Sequence, residues 1–556
     1  MLFSRLYNQV FSNEESGTYS RLNVRTLIYL AIIILLGIKQ LNGFEHYLDI
    51  SFFDESEYIK KGVLLHKHVY NDWGPSYNLW YYLLNLFTQD ATKVFYLNYI
   101  ILMISLPCLL FLLLVRFNIR QELALLFSLS LLMNGLLLSN FTYVSHFCTC
   151  IIFFGFLIST YTKKNEIKAV VLFTSFYICM YARPEFLLTV ISIFIIWLII
   201  LFKQKRITAN PVYLATFSVI FGLYLIFGFL SFNAQGIDRS YFAFMQHFIT
   251  NYIVWHRNTV ALIDFKHLDI FHGATTMFQC MTHNPVMFFK HVGTNMLNYV
   301  LTLNLIIEKL LFPSSIFHFL GKFKHVLYGF FIIYFCYLII KKKGLLPIKS
   351  FFVNHSFTSL LILATFIWSY FSVFFIFPEK HYIIIQISWW ILIICLVIND
   401  KTKWLSKSYI FIPILIIIGV LMPDAKEVGF FDYSVADNHK QPNLKTIHYL
   451  IKNNTHKPVH LLTTETGFEA YLPDNYKEKF TPDKDIEPYI HGKEVDLYKF
   501  LNDYKINAVF MNEKMIKVLG TDAGAQGDSL LLHPETAGFY KQKIDSSLKT
   551  YLLLQE

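Results

Sequence analysis

The chain has 556 residues, of which 55% are hydrophobic, 18% aromatic and only 15% charged. Soluble domains carry roughly 25% charged residues, so a string of soluble domains is excluded, as are disorder, collagen and a disulfide scaffold. The charge is uneven: residues 1–422 carry a net +14 and residues 423–556 a net −4 with no Arg.

What remains is a polytopic α-helical membrane protein, with a mean hydropathy of +0.45. A polar start precedes the first apolar run, and no small-residue cleavage site follows it. This is not the pattern of a cleavable signal. Spanning takes roughly 17–25 apolar residues. Eleven spans are predicted, at 26–43, 92–115, 122–141, 143–161, 168–182, 186–202, 210–232, 324–340, 356–377, 382–398 and 408–422.

Basic residues stay on the cytoplasmic side. The clusters are Arg21 and Arg25; Arg116 and Arg120; Lys163, Lys164 and Lys168; Lys203, Lys205 and Arg206; Lys341 to Lys343; and Lys401, Lys403 and Lys407. With the N-terminus cytoplasmic, eleven spans put all of them inside. The basic excess therefore reads as orientation in a cell (inner) membrane, with a lipid bilayer and no nucleic acid as partner. Residues 75–88 and 293–312, rich in Asn and Tyr, then lie at the interface rather than across it. The outer face carries loops 44–91 and 233–323 and the C-terminal domain 423–556.

That domain reads as α/β. Short buried strands are predicted at 460–464 and 507–512, and helices at 443–453 and 494–505. Of the seven Cys, six lie in apolar runs; Cys148 and Cys150 read as packing.

The strongest local pattern is in the first outer loop. Residues 53–58 read Phe-Asp-Glu-Ser-Glu-Tyr, and 68–77 read His-Val-Tyr-Asn-Asp-Trp-Gly-Pro-Ser-Tyr. Carboxylates close to lipid are expensive to keep charged and are often functional. On a helix, Asp54, Glu57 and Tyr58 share a face. Like charges close together raise one pKa, which suits a general base near neutrality. The same acids also fit a solvated helix paired to Lys60 and Lys61. Asp54 and Glu55 could take a divalent cation, which two carboxylates do not decide.

Two basic patterns sit at predicted outer ends: Tyr181-Ala182-Arg183-Pro184-Glu185 and Pro378-Glu379-Lys380-His381-Tyr382. A phosphate at the membrane surface needs cations. Arg183 would bind it bidentately, Lys380 as a point charge and His381 when protonated. Neutralising a phosphate also makes it a better leaving group. The plain alternatives are a snorkelling Arg183 and interfacial anchors at Lys380 and His381. His247, His256, His267, His272, His283 and His291 crowd the long loop without zinc-site spacing, so no metal site is predicted there. Asp264 and Asp269 read as loop solvation. Trp73 and Tyr77 could stack on a sugar.

In order, spacing and sidedness, residues 20–425 resemble the GT-C superfamily of integral-membrane glycosyltransferases. The likeness is greatest to the branch holding the protein O-mannosyltransferases and the lipid A aminoarabinose transferase. Asp54-Glu55, Tyr58, Tyr70, Asp72, Pro75 and Tyr77 fill that group's first-loop pattern. Arg183-Pro184-Glu185 resembles its basic break, and Lys380-His381-Tyr382 stands where it has an Arg-Tyr motif.

The resemblance implies transfer of a sugar from a polyprenyl-phosphate donor to a hydroxyl of a glycan, lipid or protein on the outer face. Asp54 would be the base, with Glu55 and Glu57 supporting it or holding the acceptor. Arg183, Lys380 and His381 would bind the phosphate, and Tyr58, Tyr70, Asp72, Tyr77 and Tyr382 would line the substrate site. One base and one displaced phosphate imply inversion rather than double displacement. Three other readings stay open: an oligosaccharide ligase or polymerase of another membrane class, a transporter, and a non-catalytic scaffold.

Overall fold

The structure, a computed structural model, describes residues 14–134, 144–204, 210–256, 269–341, 345–422, 441–453 and 458–555. Gaps inside these stretches are at 51, 53, 73, 232, 235–236, 314–316, 318–319, 465–466, 473–475, 481–489, 492–493, 523 and 545–549. The chain divides into two compact units. The larger is Met1–Asn42, Val69–Tyr77 and Ile100–Asp432; the smaller is Gly43–His68, Asn78–Tyr99 and Tyr433–Glu556.

The protein is mostly helical, and every predicted span contains a helix. Among the described residues, five helices are long and apolar enough to cross a membrane: Val24–His46, Ala91–Arg116, Pro184–Lys203, Phe323–Ile340 and Ser356–Phe375. Gln121–Leu132, Val144–Ser159, Pro211–Phe227, Ile384–Ile398 and Ser408–Leu421 are apolar but shorter. At about 1.5 Å per residue, the four of 12–16 residues reach only part of a hydrocarbon core roughly 30 Å thick, while the 17 residues of Pro211–Phe227 meet the lower limit for a span. Among the described residues, length and composition mark five helices as crossings, and the shorter apolar helices at other predicted spans leave the count of eleven undecided. Residues 75–88 form the helix Pro75–Thr88. The 293–312 stretch belongs to a longer helix, Pro285–Leu311, which starts earlier because Asn284 caps it and Pro285 opens it.

In the larger unit the Asn165–Ala182 helix is central. It packs against Val144–Ser159, Leu187–Gln204 and Pro211–Phe227. The first contact is close: a Cβ at Gly155 would lie 2.2 Å from the Ser175 hydroxyl oxygen. At the other end of this helix, Lys168 is fully buried and paired with Glu15. Glu15 also accepts from Thr358 N at 3.0 Å and from the Tyr19 hydroxyl at 2.5 Å. Burial works against the Glu15 charge. His355, Lys168 and Tyr19 outweigh it and hold the carboxyl at about 2. The sign is that of a depressed acid: this stabilisation is present above the ordinary carboxyl range and lost as pH falls toward 2. Breaking a buried pair leaves a charge without compensation, at a cost of about 3–5 kcal/mol. Glu15→Ala should therefore lower the melting temperature of the detergent-solubilised protein. Glu15→Ala/Lys168→Met should recover most of that loss.

In the smaller unit, the helices Asp54–Val63 and Pro75–Thr88 meet at Gly62. A Cβ there would stand 2.5 Å from the Tyr81 Cβ and 2.8 Å from the Asn78 carbonyl. The tail holds a five-stranded sheet of β1 (Val459–Thr463), β2 (Tyr476–Phe480), β3 (Ala508–Met511), β4 (Phe539–Gln542) and β5 (Tyr551–Gln555), in the order β2-β1-β3-β5-β4. β1 runs parallel to β2 and β3, with Leu461 opposite Glu478 and Ala508. β5 is antiparallel to β3 and β4. β1 and β3 are the two predicted strands. All four residues of β3 are buried, as a strand covered on both faces requires. Leu462, Phe500, Val509, Leu530 and Leu553 form the core.

The helix expected over 494–505 is shorter. Glu494–Val495 pairs as a strand with Ile490–His491. The helix begins only at Leu497, where the Asp496 carboxylate accepts from Lys499 N at 3.2 Å.

Candidate functional site

The Asn165–Ala182 helix stops because Pro184 disfavours helical geometry in the residue before it. Arg183 is accordingly extended, at φ −143° and ψ 107°. Its Nε and Nη2 both engage the Glu185 carboxylate. Its Nη1 donates to the Ser145 hydroxyl at 2.6 Å. The guanidinium carbon lies 4.4 Å from the centroid of the Tyr382 ring. The side chain is only 12% exposed. Burial opposes its charge, but Glu185 and Tyr382 outweigh burial and hold its pKa above the usual arginine value. Arg183 is a fixed, permanently charged cation with its fork pre-positioned.

His381 and Tyr382 follow the Ser356–Phe375 helix and pack ring to ring at 4.1 Å. His381 Nδ1 stands 3.8 Å from the Glu379 carboxylate. Burial, then Arg183, His146 and His247, push the His381 pKa well below the ordinary value. His247, on the helix Arg239–Trp255, stacks on Phe377 at 5.2 Å and 6° and meets the edge of Tyr382 at 6.3 Å. Burial, His291 and Arg183 push its pKa down to about 4. His381 and His247 are therefore neutral imidazoles near pH 7, gathered around one permanent cation. Lys380 is half-buried and lowers the pKa of Glu379, although burial carries Glu379 upward on balance.

Thus Arg183, His381 and Tyr382 come together. Ser145, His146 and His247 join them and were not foreseen. His146 had a usable signal, being a histidine in the first turn of an apolar helix. His247 is remote in sequence and looked like one of many loop histidines.

The acidic set lies in the smaller unit. Asp54, Glu55 and Glu57 occupy the first turn of Asp54–Val63, with Lys60 and Lys61 in the last, which suits the helix dipole. Asp54 is exposed, Glu57 half-buried and Tyr58 buried, so the predicted common face runs from solvent into the interior. Glu55 is buried and accepts from the Tyr81 hydroxyl and, at 3.5 Å, from Asn98 Nδ2. Asn98 is itself held by Trp80 Nε1 at 2.8 Å. Adjacent helix positions diverge by about 100°. That angle separates Asp54 in solvent from Glu55 in a tyrosine–amide network, an unfavourable pair for one shared cation. Lys60 pairs with Glu469 at 2.5 Å rather than with the loop acids alone. Among the described residues, no group of three or more His, Cys, Asp or Glu has a metal-holding arrangement.

One further acid escaped the sequence reading. Asp49 accepts from Asn443 N at 3.0 Å, Leu444 N at 2.9 Å and Ile50 N at 3.0 Å. It thereby caps the tail helix Pro442–Asn453 from the first loop. Burial outweighs these bonds and raises its carboxyl to about 7.

Of the remaining predicted residues, Tyr70 and Asp72 are half-buried, and the Asp72 carbonyl accepts from Arg239 at 3.4 Å. Tyr77 is fully buried, with its ring 5.2 Å from Phe147; it packs in the interior instead of offering a face to a sugar. Asp269 accepts from Gly273 N at 2.7 Å within its own loop. Trp73, Asp264 and His267 lie outside the described residues.

Comparison with solved structures finds similarity to the oligosaccharyltransferase of the archaeon Archaeoglobus fulgidus. One such structure is AglB in complex with an inhibitory peptide and a dolichol-phosphate, at a TM-score of 0.45 and 12% identity, over 95% of this chain and 75% of that one. Another is the same organism's enzyme with zinc and sulfate, at a TM-score of 0.45 and 12% identity, over 94% of this chain and 72% of that one. No family model matches the chain, and no curated relative matches it.

Proposed function

We propose that this chain is a GT-C-like membrane glycosyltransferase. It transfers a sugar from a polyprenyl-phosphate donor to a hydroxyl acceptor, with inversion, on the outer face of the membrane. The observation that carries this reading is Arg183: a buried, permanently charged guanidinium held by Glu185, Ser145 and Tyr382 beside two neutral imidazoles. A donor phosphate brings negative charge to that cation, and leaving develops more. Preformed cations stabilise such charge without reorganisation.

The roles follow from the chemistry. Arg183 binds the phosphate, and His381 and His247 take up protons as its charge arrives. Lys380 adds a long-range positive charge, and Tyr382 fixes the guanidinium plane. Asp54, the exposed acid of the first loop, takes the proton of the acceptor hydroxyl. The acceptor oxygen forms a bond to the anomeric carbon as the bond to the phosphate oxygen breaks, and the lipid phosphate departs. Glu55 acts as a positioning residue, fixing the helix that carries Asp54 through Tyr81 and Asn98. Glu57 and Tyr58 remain candidates for holding the acceptor, and Tyr70 and Asp72 for lining the donor side. In this reading the N-terminus is cytoplasmic and the tail extracytoplasmic.

The test supplies membranes containing the protein with radiolabelled polyprenyl-phosphate sugars and follows label into lipid, polysaccharide and protein fractions. Transfer of one sugar into one fraction supports the reading and identifies the acceptor class. Folded protein that moves no label from any of these donors would refute it.

A further inference from the structure

The tail contains a cavity of about 450 Å³, within the roughly 300–1,000 Å³ range of small-molecule sites. It is remote in sequence from Arg183 and Asp54, and it is formed by the tail alone. Its apolar floor comes from Val459 and Leu554, both buried. Tyr449, Tyr540, Asn502, Lys505 and Gln555 line its sides. Burial first, and then Tyr540, raises the pKa of Tyr449.

Three features define what this cavity fits. First, its polar ends are available. Among the described residues, no side chain or backbone group hydrogen-bonds the phenol oxygens, the Asn502 amide or the Lys505 amine. The Gln555 amide nitrogen donates to the Ala537 carbonyl at 3.2 Å, which fixes the amide plane with its oxygen as an acceptor.

Second, the cavity sits at the amino ends of β1 and β3, opposite the carboxyl ends where open α/β sheets usually bind nucleotides. Two helices end there, Pro442–Asn453 and Leu497–Asp503. Helix C-termini carry a partial negative charge, which disfavours anions, while the Leu501, Asn502 and Tyr504 carbonyls are already bonded by Ile506 N, Lys505 N and His460 Nδ1. Third, Lys505 ends the Leu497–Asp503 helix in a left-handed turn at φ 51°, with Ile506 N donating to the Leu501 carbonyl at 2.8 Å, and this turn sets Lys505 in the cavity wall.

Tyrosine rings for sugar faces, amides for hydroxyl groups and an apolar floor suit a neutral polyhydroxylated ligand. We infer that the tail cavity binds a neutral oligosaccharide. The proposed transferase activity explains why a glycan would meet this domain, but the binding is read without turnover, so the two proposals fail separately.

The experiment uses the full chain in lipid nanodiscs, free of glycoside detergents. Saturation-transfer NMR is recorded with maltotetraose, cellotetraose, chitotetraose and mannotetraose, and separately with pyrophosphate as an anionic probe. The expected result is saturable transfer to at least one tetrasaccharide, weakened about tenfold or more in Tyr540→Ala and in Asn502→Ala. Arg183→Ala should retain that binding even if it transfers nothing. Tyr540 is 43% exposed, so its loss leaves the core intact. The inference is overturned if no tetrasaccharide binds, if binding is equal in the two cavity variants, or if pyrophosphate binds there in preference.

Discussion

Arg183→Ala should abolish sugar transfer, by about 10²–10³-fold or more, the range for losing one pre-organised group that stabilises developing charge. Arg183 is held on three sides by Glu185, Ser145 and Tyr382, so little orientation remains to be fixed when a phosphate arrives. Arg183→Lys keeps a charge but loses the planar fork, and should recover only part of the rate. The single Ala variant also strands Glu185. The double variant Arg183→Ala/Glu185→Gln removes that imbalance. It should regain melting temperature while remaining inactive, and recovered transfer in the double variant would show that Arg183 is structural.

The histidines add a pH signature with a definite sign. Burial, His291 and Arg183 hold the His247 pKa down at about 4. A nearby anion favours the protonated form and raises that value. Below the raised value donor binding takes up protons, so affinity rises as pH falls toward about 4. The donor phosphodiester keeps its single charge throughout, so it contributes no slope of its own. KM for the donor should fall as pH is lowered from about 6.5 toward about 4.5 in the wild type, and that slope should flatten in His247→Ala.

Arg183 was legible because Arg-Pro forces a break wherever it stands, and the break fell at the end of a span. Its partners were not legible. Hydrophobic periodicity reports that Val144–Ser159 is apolar, but not that its first turn faces Arg183, so Ser145 was invisible as a partner and His146 was legible only as a histidine in an apolar helix. The buried states of Glu55 and Asp49 depend on elements far along the chain. Glu55 meets Tyr81 and Asn98, and Asp49 meets the start of a tail helix nearly 400 residues later. In the tail, β1 and β3 were readable as short apolar runs next to turn residues. β4 was not, since its exposed edge carries Tyr540 and Lys541, and neither was β5, whose Leu552–Leu554 run is equally compatible with a helix. The shorter helices were legible as apolar runs, but at 12–17 residues their length alone does not decide whether they cross.

The sharper test of the chemistry separates Asp54 from Glu55. They are neighbours in sequence, yet one is exposed and the other is buried and bonded to Tyr81. If Asp54 takes the acceptor proton, Asp54→Asn should lower kcat by about 10²–10⁴-fold, the usual contribution of a positioned base, with donor KM nearly unchanged. Thermal stability should hardly move, because an exposed carboxylate in a first helical turn contributes only about 0.3–1 kcal/mol. Glu55→Gln should behave in the opposite way. It weakens the charge-assisted bond from Tyr81, worth about 1.5–3 kcal/mol, so melting temperature falls. The rate then falls only as far as the Asp54 helix loosens, and Tyr81→Phe should reproduce both effects. Equal kcat losses in Asp54→Asn and Glu55→Gln, with unchanged melting in both, would assign the pair a joint chemical role. Full activity in Asp54→Asn would move the base to another residue.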